Sequence, residues 1–378
     1  MQPNLKSSWF QRLLLPSFAF KAVVIGGGYA TGRELAEFFM PSGPWGGILG
    51  MLLSAVIWSV VCTVTFLFAR ATSSLEYRQF FRQLLGRFWF VFEIAFILMA
   101  ILILAVFGAA AGAIGHAIFN WPLLLGTLLL MGTIAGFAAF GNRSVEQLFK
   151  YVTLLLYGVY AIFLLLAVTH FGGRIATSFA KFTPGTDWIM GGITYAGYNL
   201  FGAVAILPML RHLRSNGDAL IAGMLCGPLA MGPAILFFVC MAAWPEVKDI
   251  ALPSDYLLGE LNFAPFHFLF QFMIFAALVE SGTGIVHAIN QRIAATAMSA
   301  NFALPQRWRL MISLVLLTLS IFIADRFGLV SLIARGYRAL AFVLLSVFVL
   351  PLFTIGVLRL VRIRRERVLA SLSTTTSP

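Results

Sequence analysis

The stretch "VVIGGGYATGRELAEFF", residues Val23–Phe39, decides how this chain must fold. It begins as an apolar run of the kind that crosses a membrane. Three consecutive glycines, Gly26–Gly28, and a fourth, Gly32, then interrupt it, and the charged segment RELAE follows. Each glycine lowers helix stability by about 1 kcal/mol, and charges are costly within a bilayer. The stretch therefore predicts a membrane helix that is broken near its centre.

Two other interpretations of these glycines fit the sequence less well. Glycines also let membrane helices pack closely, but three in a row exceed what packing needs. A nucleotide-binding glycine loop requires a strand before it and a helix after it. The flanks here are membrane-type runs, which excludes that loop.

Composition sets the class of the protein. The chain has 378 residues, of which 60% are hydrophobic and 11% charged, with a mean hydropathy of +0.93. A soluble domain carries about 25% charged residues, so the chain is predicted to be an all-α polytopic membrane protein. Its three cysteines, Cys62, Cys226 and Cys240, lie inside apolar runs and indicate neither a disulfide framework nor a metal site.

Apolar runs long enough to cross a bilayer recur along the chain. A crossing helix needs roughly 20 such residues, and about ten transmembrane helices are predicted. The runs are Leu13–Met40, Trp45–Ala69, Phe88–Phe119, Leu123–Phe140, Gln147–His170, Trp188–Leu210, Ala219–Ala243, Pro265–Ile289, Leu310–Ala324 and Leu329–Leu358. We number them spans one to ten. A basic helix, Leu75–Arg87, is predicted at the membrane surface.

The net charge of +12 follows the loops. Most lysines and arginines fall on the side of the N-terminus, and only Arg174, Lys181, Lys248 and Arg326 fall in loops on the other side. Cytoplasmic loops of membrane proteins are enriched in these residues. We therefore expect both termini in the cytoplasm, an inner membrane of a bacterium as the location, and no nucleic-acid partner.

Span six, "WIMGGITYAGYNLFGAVAILPML", is a second glycine-rich run. It lies five spans after the first and so crosses in the opposite direction. Paired interruptions of this kind are typical of an inverted repeat with a binding site at the two breaks. The predicted units are a five-helix repeat over residues 1–175, an inverted five-helix repeat over 176–361 and a basic, polar cytoplasmic tail over 362–378.

The ends of broken helices supply the predicted binding groups. Carbonyls before the break carry partial negative charge and can bind a cation, while N–H groups after it can bind an anion. The backbone near Tyr29–Thr31 is expected to hold a carboxylate, the tyrosines to close over a solute, and Asn199 to make a polar contact. The predicted solute-binding residues are Gly26, Gly27, Gly28, Tyr29, Ala30, Thr31, Gly32, Tyr195, Gly197, Tyr198 and Asn199.

Ionisable residues within the spans are candidates for ion coupling. Glu280, Thr283 and His287 recur at helical spacing and form one polar stripe on span eight. Glu280 is predicted to carry a proton, or to bind sodium with Ser281 or Thr283. Lys21, one turn before the glycines, is either a fixed positive charge in place of a coupling ion, a snorkelling residue, or a structural partner of Glu280.

Five further charges are predicted to form a gate on the outer side. Arg33, Glu34 and Glu37 occupy the outer half of span one, and Arg335 and Arg338 the outer half of span ten. We expect at least one Glu–Arg pair to join these two spans.

The motifs "VIGGGYATGRELAEFF", "YAGYN", "ESGTG" and "ARGY" resemble those of the YkvI-type uncharacterised membrane proteins. That family is similar to the amino acid–polyamine–organocation superfamily. The resemblance implies the LeuT-type fold of five plus five helices with alternating access. It also implies a sodium ion between Gly26 and the hydroxyls of Ser281 and Thr283. An adjoining pair of hydroxyls is absent, however, so coupling to protons through Glu280 competes with sodium.

The predicted function is secondary active transport of a small amino-acid-like or organic solute, coupled to sodium or protons. The alternatives are a solute-binding membrane sensor that does not translocate and an ion-only carrier. No catalytic or nucleotide-binding motif occurs, so no enzyme activity and no cofactor beyond a coupling ion are expected. The expected partners are the solute and the lipid bilayer. The sequence leaves the oligomeric state open, and a monomer is compatible with it.

Overall fold

Helices account for nearly all of the chain. The structure is a computed structural model that describes residues 8–24, 27–140, 142–299 and 306–375, and this part contains no strand. The prediction of an all-α membrane protein is confirmed.

The described residues form sixteen α-helices, which we number in chain order. They are α1 (Leu15–Val24), α2 (Gly27–Ala30), α3 (Arg33–Phe38), α4 (Gly43–Ala71), α5 (Tyr77–Leu85), α6 (Trp89–Phe119), α7 (Leu123–Phe140), α8 (Asn142–Ser178), α9 (Trp188–Asn199), α10 (Phe201–Ala205), α11 (Asn216–Met241), α12 (Pro253–Leu261), α13 (Ala264–Ser299), α14 (Gln306–Ser331), α15 (Arg338–Leu344) and α16 (Val357–Thr375). Short 3-10 helices cover Met40–Ser42, Gly86–Phe88, Leu207–His212 and Pro245–Asp249. π-helical turns cover Phe10–Leu14, Leu332–Tyr337, Leu345–Val349 and Leu352–Gly356.

Six helical stretches in the described part are long and apolar enough to cross a membrane, and Leu123–Phe137 is a shorter apolar helix. Six is fewer than the ten predicted, because a broken span consists of short helices and a kinked pair of spans forms one continuous helical stretch. Span one is divided among α1, α2 and α3. The stretch Leu310–Glu366 has 57 residues, about 85 Å at 1.5 Å per residue, far more than a bilayer core of about 30 Å. It kinks at Gly328, whose φ is 70°, between the predicted spans nine and ten.

The helices pack in two groups. In the first, which we call the bundle, α4 packs against α9 and α11, and α1 packs against α11. In the second, which we call the scaffold, α6, α7, α13 and α14 pack against one another. Helix α8 contacts α13 of the scaffold and α11 of the bundle. Spans one and six therefore lie in the bundle, with α2 against α6 and α13 of the scaffold.

Glycines allow the closest approach within the bundle. A Cβ atom on Gly227 of α11 would lie 1.9 Å from the carbonyl oxygen of Ala55 in α4. One on Gly223 would lie 2.4 Å from Oγ1 of Thr63. Close to these positions Ser59 Oγ donates a hydrogen bond to the Met224 carbonyl at 2.8 Å. Small side chains thus bring polar backbone within reach of the neighbouring helix.

The interruption of span six lies later than the predicted Tyr195–Asn199. Helix α9 runs without a break through all of these residues, and the chain leaves it at Leu200, with a second irregularity at Ile206. The glycines at the start of α9 serve packing instead. A Cβ on Gly191 would lie 2.1 Å from the Phe38 carbonyl oxygen, and one on Gly192 would lie 2.6 Å from the Gly50 carbonyl oxygen.

The predicted unit boundaries fall inside helices. Residue 175 lies within α8, and α16 continues through the predicted tail 362–378 as far as Thr375. The two repeats themselves remain a prediction. A helix, α5, is present within the predicted stretch Leu75–Arg87, and its place at the membrane surface stays a prediction.

Candidate functional site

The break in span one is a turn at Thr31 and Gly32 between α2 and α3. Gly32 has φ 76°, and its N–H donates to the Tyr29 carbonyl at 3.0 Å. A Cβ at position 32 would lie 2.7 Å from Cε1 of Phe237. Both the left-handed backbone and this contact require glycine. Of the predicted glycines, Gly27 and Gly28 lie in α2, and Gly26 lies outside the described residues.

Arg33 fastens this turn to the segment of residues 245–261, which we call the outer segment. The buried guanidinium donates to the carbonyl oxygens of Lys248 at 2.5 Å and Ile250 at 3.0 Å, and it pairs with Glu37 at 2.5 Å. The Ser254 N–H donates to the Thr31 carbonyl at 3.0 Å. The outer segment therefore covers the break.

Polar contacts hold the outer segment to span eight. His267 Nε2 lies 2.6 Å from Asp255 Oδ1, and Gln271 Nε2 donates to the same oxygen at 2.7 Å. Within the segment, the Tyr256 hydroxyl donates to Glu246 at 2.9 Å, and this bond to a carboxylate raises the pKa of Tyr256. The outer segment is thus anchored to the scaffold, whereas the turn that it covers belongs to span one.

The predicted Glu–Arg pair between spans one and ten does not form. Within the described residues, neither Glu34 nor Glu37 is paired with Arg335 or Arg338, and both arginines are exposed. The π-helical turn Leu332–Tyr337 directs Tyr337 inward instead, where its ring stacks on Tyr198 with centroids 4.4 Å apart. Spans one and ten meet through aromatic rings rather than charges.

Glu34 is buried within this group of rings. Its Oε2 accepts a hydrogen bond from the Tyr198 hydroxyl at 2.6 Å. The Phe38 ring lies 5.8 Å from that of Tyr198 and 6.0 Å from that of Tyr195. No ion pair in the described part of the chain includes Glu34. A buried carboxylate is stable only with a proton or a cation. Glu34, which the sequence analysis assigned to the gate, is therefore a candidate for ion coupling.

Several buried hydroxyls near the break have no hydrogen-bond partner within the described residues. They belong to Tyr29, Tyr160, Tyr195 and Thr283. The rings of Tyr29 and Tyr160 stack at 6.1 Å, and their hydroxyls are neighbours without hydrogen-bond geometry. Buried polar groups are nearly always hydrogen-bonded, so this cluster fits a site that receives oxygen or nitrogen atoms of a ligand.

Sequence reasoning missed Tyr160 and Tyr337. Each is a tyrosine within a predicted span, which was a usable signal. Among the predicted solute-binding residues, Asn199 is buried, but its amide donates to the Tyr195 carbonyl at 3.1 Å, one turn back in α9. Gly197 faces α15, where a Cβ would lie 3.0 Å from that of Ala341. Both residues stand at the site's edge in this conformation.

Span eight lies where the coupling prediction needs it. Helix α13 packs against α2, and Thr283 is fully buried with its hydroxyl unpaired, which suits an oxygen ligand for sodium. Ser281, Glu280 and His287 are half-buried. The predicted ion site also involves Gly26, outside the described residues. In the described part no group of three or more His, Cys, Asp or Glu side chains is arranged to hold a metal.

Lys21 does not pair with Glu280, so that structural alternative is wrong. The Lys21 side chain is buried, and its ammonium lies over the rings of Tyr157 and Phe18, at 4.4 and 5.9 Å from their centroids. No ion pair among the described residues includes it.

Comparison with solved structures identifies the fold of the chain. MhsT in complex with L-phenylalanine superposes with a TM-score of 0.54 at 16% identity, over 94% of this chain and 98% of that chain. A Na⁺-coupled sialic acid symporter in a substrate-bound outward-open state superposes with a TM-score of 0.61 at 15% identity, over 89% and 79%. The chain has the LeuT-type fold, as the motifs predicted. The division into two inverted repeats of five helices stays a prediction.

Sequence comparison agrees. The uncharacterized membrane protein YkvI of Bacillus subtilis strain 168 is 22% identical over 337 residues, which are 86% of this chain and 93% of that protein. The resemblance to YkvI-type proteins is confirmed. No protein-family model matches the chain.

Proposed function

We propose that this protein is a cation-coupled secondary transporter of a small amino-acid-like or organic solute. The observation that carries the proposal is the set of buried hydroxyls without protein partners at the break of span one. Tyr29, Tyr160 and Tyr195 present oxygen atoms to the protein interior, and such groups are costly unless a ligand completes their hydrogen bonds.

The described fastenings support alternating access. The outer segment closes the site on one face through Arg33. Toward the opposite face, Arg12 pairs with Asp218 at 2.6 Å and joins the start of span one to the start of span seven. We infer that the bundle moves against the scaffold and that these contacts break and form in turn. Such rocking about a fixed site is common to transporters with interrupted helices.

Two carboxylates are proposed for coupling. Glu34 binds a proton or cation where it meets Tyr198, and Glu280 lies on the polar stripe of span eight. Sodium would use the Thr283 hydroxyl together with Ser281 and backbone near Gly26. The similar Na⁺-coupled symporter favours sodium, and the buried Glu34 favours protons.

The remaining predictions belong to the same proposal. Both termini lie on the cytoplasmic side of a bacterial inner membrane, because arginines and lysines are concentrated on that side. Spans one to five and six to ten form the two inverted repeats. One chain contains the whole site, so a monomer suffices for transport.

The test combines binding with uptake. Purified protein is screened by thermal shift against amino acids and small organic acids, with and without sodium and from pH 5 to 8. A solute that raises the melting temperature and enters proteoliposomes only under a sodium or proton gradient supports the proposal. Binding without uptake under any gradient would replace the transporter by a solute sensor, and gradient-driven ion flux without a solute would replace it by an ion carrier.

A further inference from the structure

We propose that the pocket beside Lys21 binds the carboxylate of a small apolar organic acid. The pocket has a volume of about 170 Å³ and lies between spans one, five and seven. Lys21, Tyr29 and Tyr160 are among its lining residues, and its walls, which are mainly apolar, include Leu156, Leu164 and Leu236. The inference deepens the proposed transport function. Only one of its consequences rests on that function, namely that the bound acid is the transported solute.

The charge of the pocket calls for an anion. Lys21 is only 9% exposed and lies within α1, inside the predicted span one. No acidic side chain lines the pocket, and no ion pair within the described residues includes Lys21. The Tyr157 ring, 4.4 Å from the ammonium, compensates for only part of the lost hydration. A buried cation without a counter-charge is costly, and a bound monoanion would remove that cost.

The hydroxyls next to Lys21 select a carboxylate. Tyr29 and Tyr160 are buried, and their hydroxyls lie next to each other with no other hydrogen-bond partner within the described part of the chain. A carboxylate oxygen that parts the two rings would accept both O–H groups, while its charge faces Lys21. A single lysine without arginines is a point charge that suits a monoanion, whereas dianionic phosphates are usually held by several donors or an arginine fork.

The walls and the volume limit the rest of the ligand. A cavity of about 150 Å³ holds one benzene molecule, so about 170 Å³ accommodates one ring or a short alkyl group. Leu236, 54% exposed, and Tyr157, 43% exposed, stand at the lipid-facing side of the pocket. The acid reaches the pocket from water through the transport path or from the bilayer, and the shared chemistry is a carboxylate on an apolar body.

The experiment uses the full chain in detergent, in sulfate buffer without chloride, and follows the melting temperature. Benzoate is the anionic probe, benzamide its neutral counterpart, and laurate represents an acid derived from lipid. Lys21→Met keeps the apolar stem and removes the charge. Lys181→Met removes an equal charge from an exposed loop and is the matched control. Tyr160→Phe removes one donor whose loss leaves no protein group unpaired.

Benzoate is expected to stabilise the wild type and Lys181→Met alike, and benzamide to have no effect. The benzoate affinity should fall at least tenfold in Lys21→Met and several-fold in Tyr160→Phe. If Lys21→Met does not fold, the comparison of benzoate with benzamide and the Tyr160→Phe variant still decide. Stabilisation by laurate alone would keep the carboxylate site and assign it to a lipid-derived acid.

Three results would overturn the inference. They are equal responses to benzoate and benzamide, an unchanged benzoate affinity in Lys21→Met, and stabilisation by chloride alone. Because these measurements use no gradient, they stand apart from the transport test. Gradient-driven uptake of some other solute, with no response to benzoate or laurate, would retain the transporter and reject this pocket.

Discussion

Replacing Gly227 with alanine should separate the two helices that carry the bundle. The added Cβ would lie 1.9 Å from the Ala55 carbonyl oxygen and 2.5 Å from the Ser59 hydroxyl, against an ordinary contact of 3.4 Å or more. Helices α4 and α11 must therefore move apart by about 1.5 Å. Overpacking of this kind costs about 1–3 kcal/mol. Separation also breaks the bond from Ser59 to Met224, worth about 1 kcal/mol.

Gly232 provides the matched control, because it lies in the same helix, also directly precedes a proline, and would present its Cβ to nothing within 4 Å. Gly232→Ala should stabilise the protein slightly, by up to about 1 kcal/mol from helix propensity. The gain in helix propensity is common to both variants, so the expected difference between them is about 2–4 kcal/mol. Unfolding of both proteins in detergent with increasing denaturant measures it. Equal midpoints for the two variants would show that α4 and α11 do not approach as closely as described.

Three more outcomes follow from the site. Gly32→Ala should destabilise the protein by about 2–4 kcal/mol, because alanine is strained in left-handed backbone and its Cβ overpacks against Phe237. Adding Phe237→Leu to the same chain should recover part of that loss. Strictly additive effects of the two substitutions would refute the contact between positions 32 and 237. Arg33→Gln should release the outer segment from the turn. A cysteine introduced into the outer segment should then be labelled faster, while the three buried native cysteines react slowly and give a low background. An unchanged labelling rate would refute the role of Arg33. Glu34→Gln should abolish the pH dependence of uptake if this acid carries the coupled proton, whereas Tyr198→Phe should only shift it; a pH profile retained in Glu34→Gln would remove Glu34 from that role.

The class of the protein and the break in span one were predictable from local chemistry. Low charge and long apolar runs require a bilayer, and they do so without knowledge of any contact. Gly32 followed by a charged segment indicated an interruption, and the turn lies there, with φ 76° at Gly32. Backbone conformations that only glycine adopts easily are encoded within a few residues.

Glycines in span six showed the limit of this reasoning. The same residue that permits a break also permits close packing, and the choice depends on what lies opposite. Gly191 and Gly192 are helical, and the lack of a side chain lets the Phe38 and Gly50 carbonyls approach them within the bundle. No local pattern distinguishes these two uses.

Partners distant in sequence were decided by the tertiary structure alone. Arg33 was predicted only as part of an outer gate, and its main partners besides Glu37 are carbonyls 215 and 217 residues away. Glu34 meets the Tyr198 hydroxyl, and Lys21 meets the Tyr157 ring rather than an acid. The sequence by itself determined which groups are costly in a membrane, because that cost is a property of each side chain. Which neighbour relieves each cost depends on how the helices pack, and that information exists only in the assembled fold.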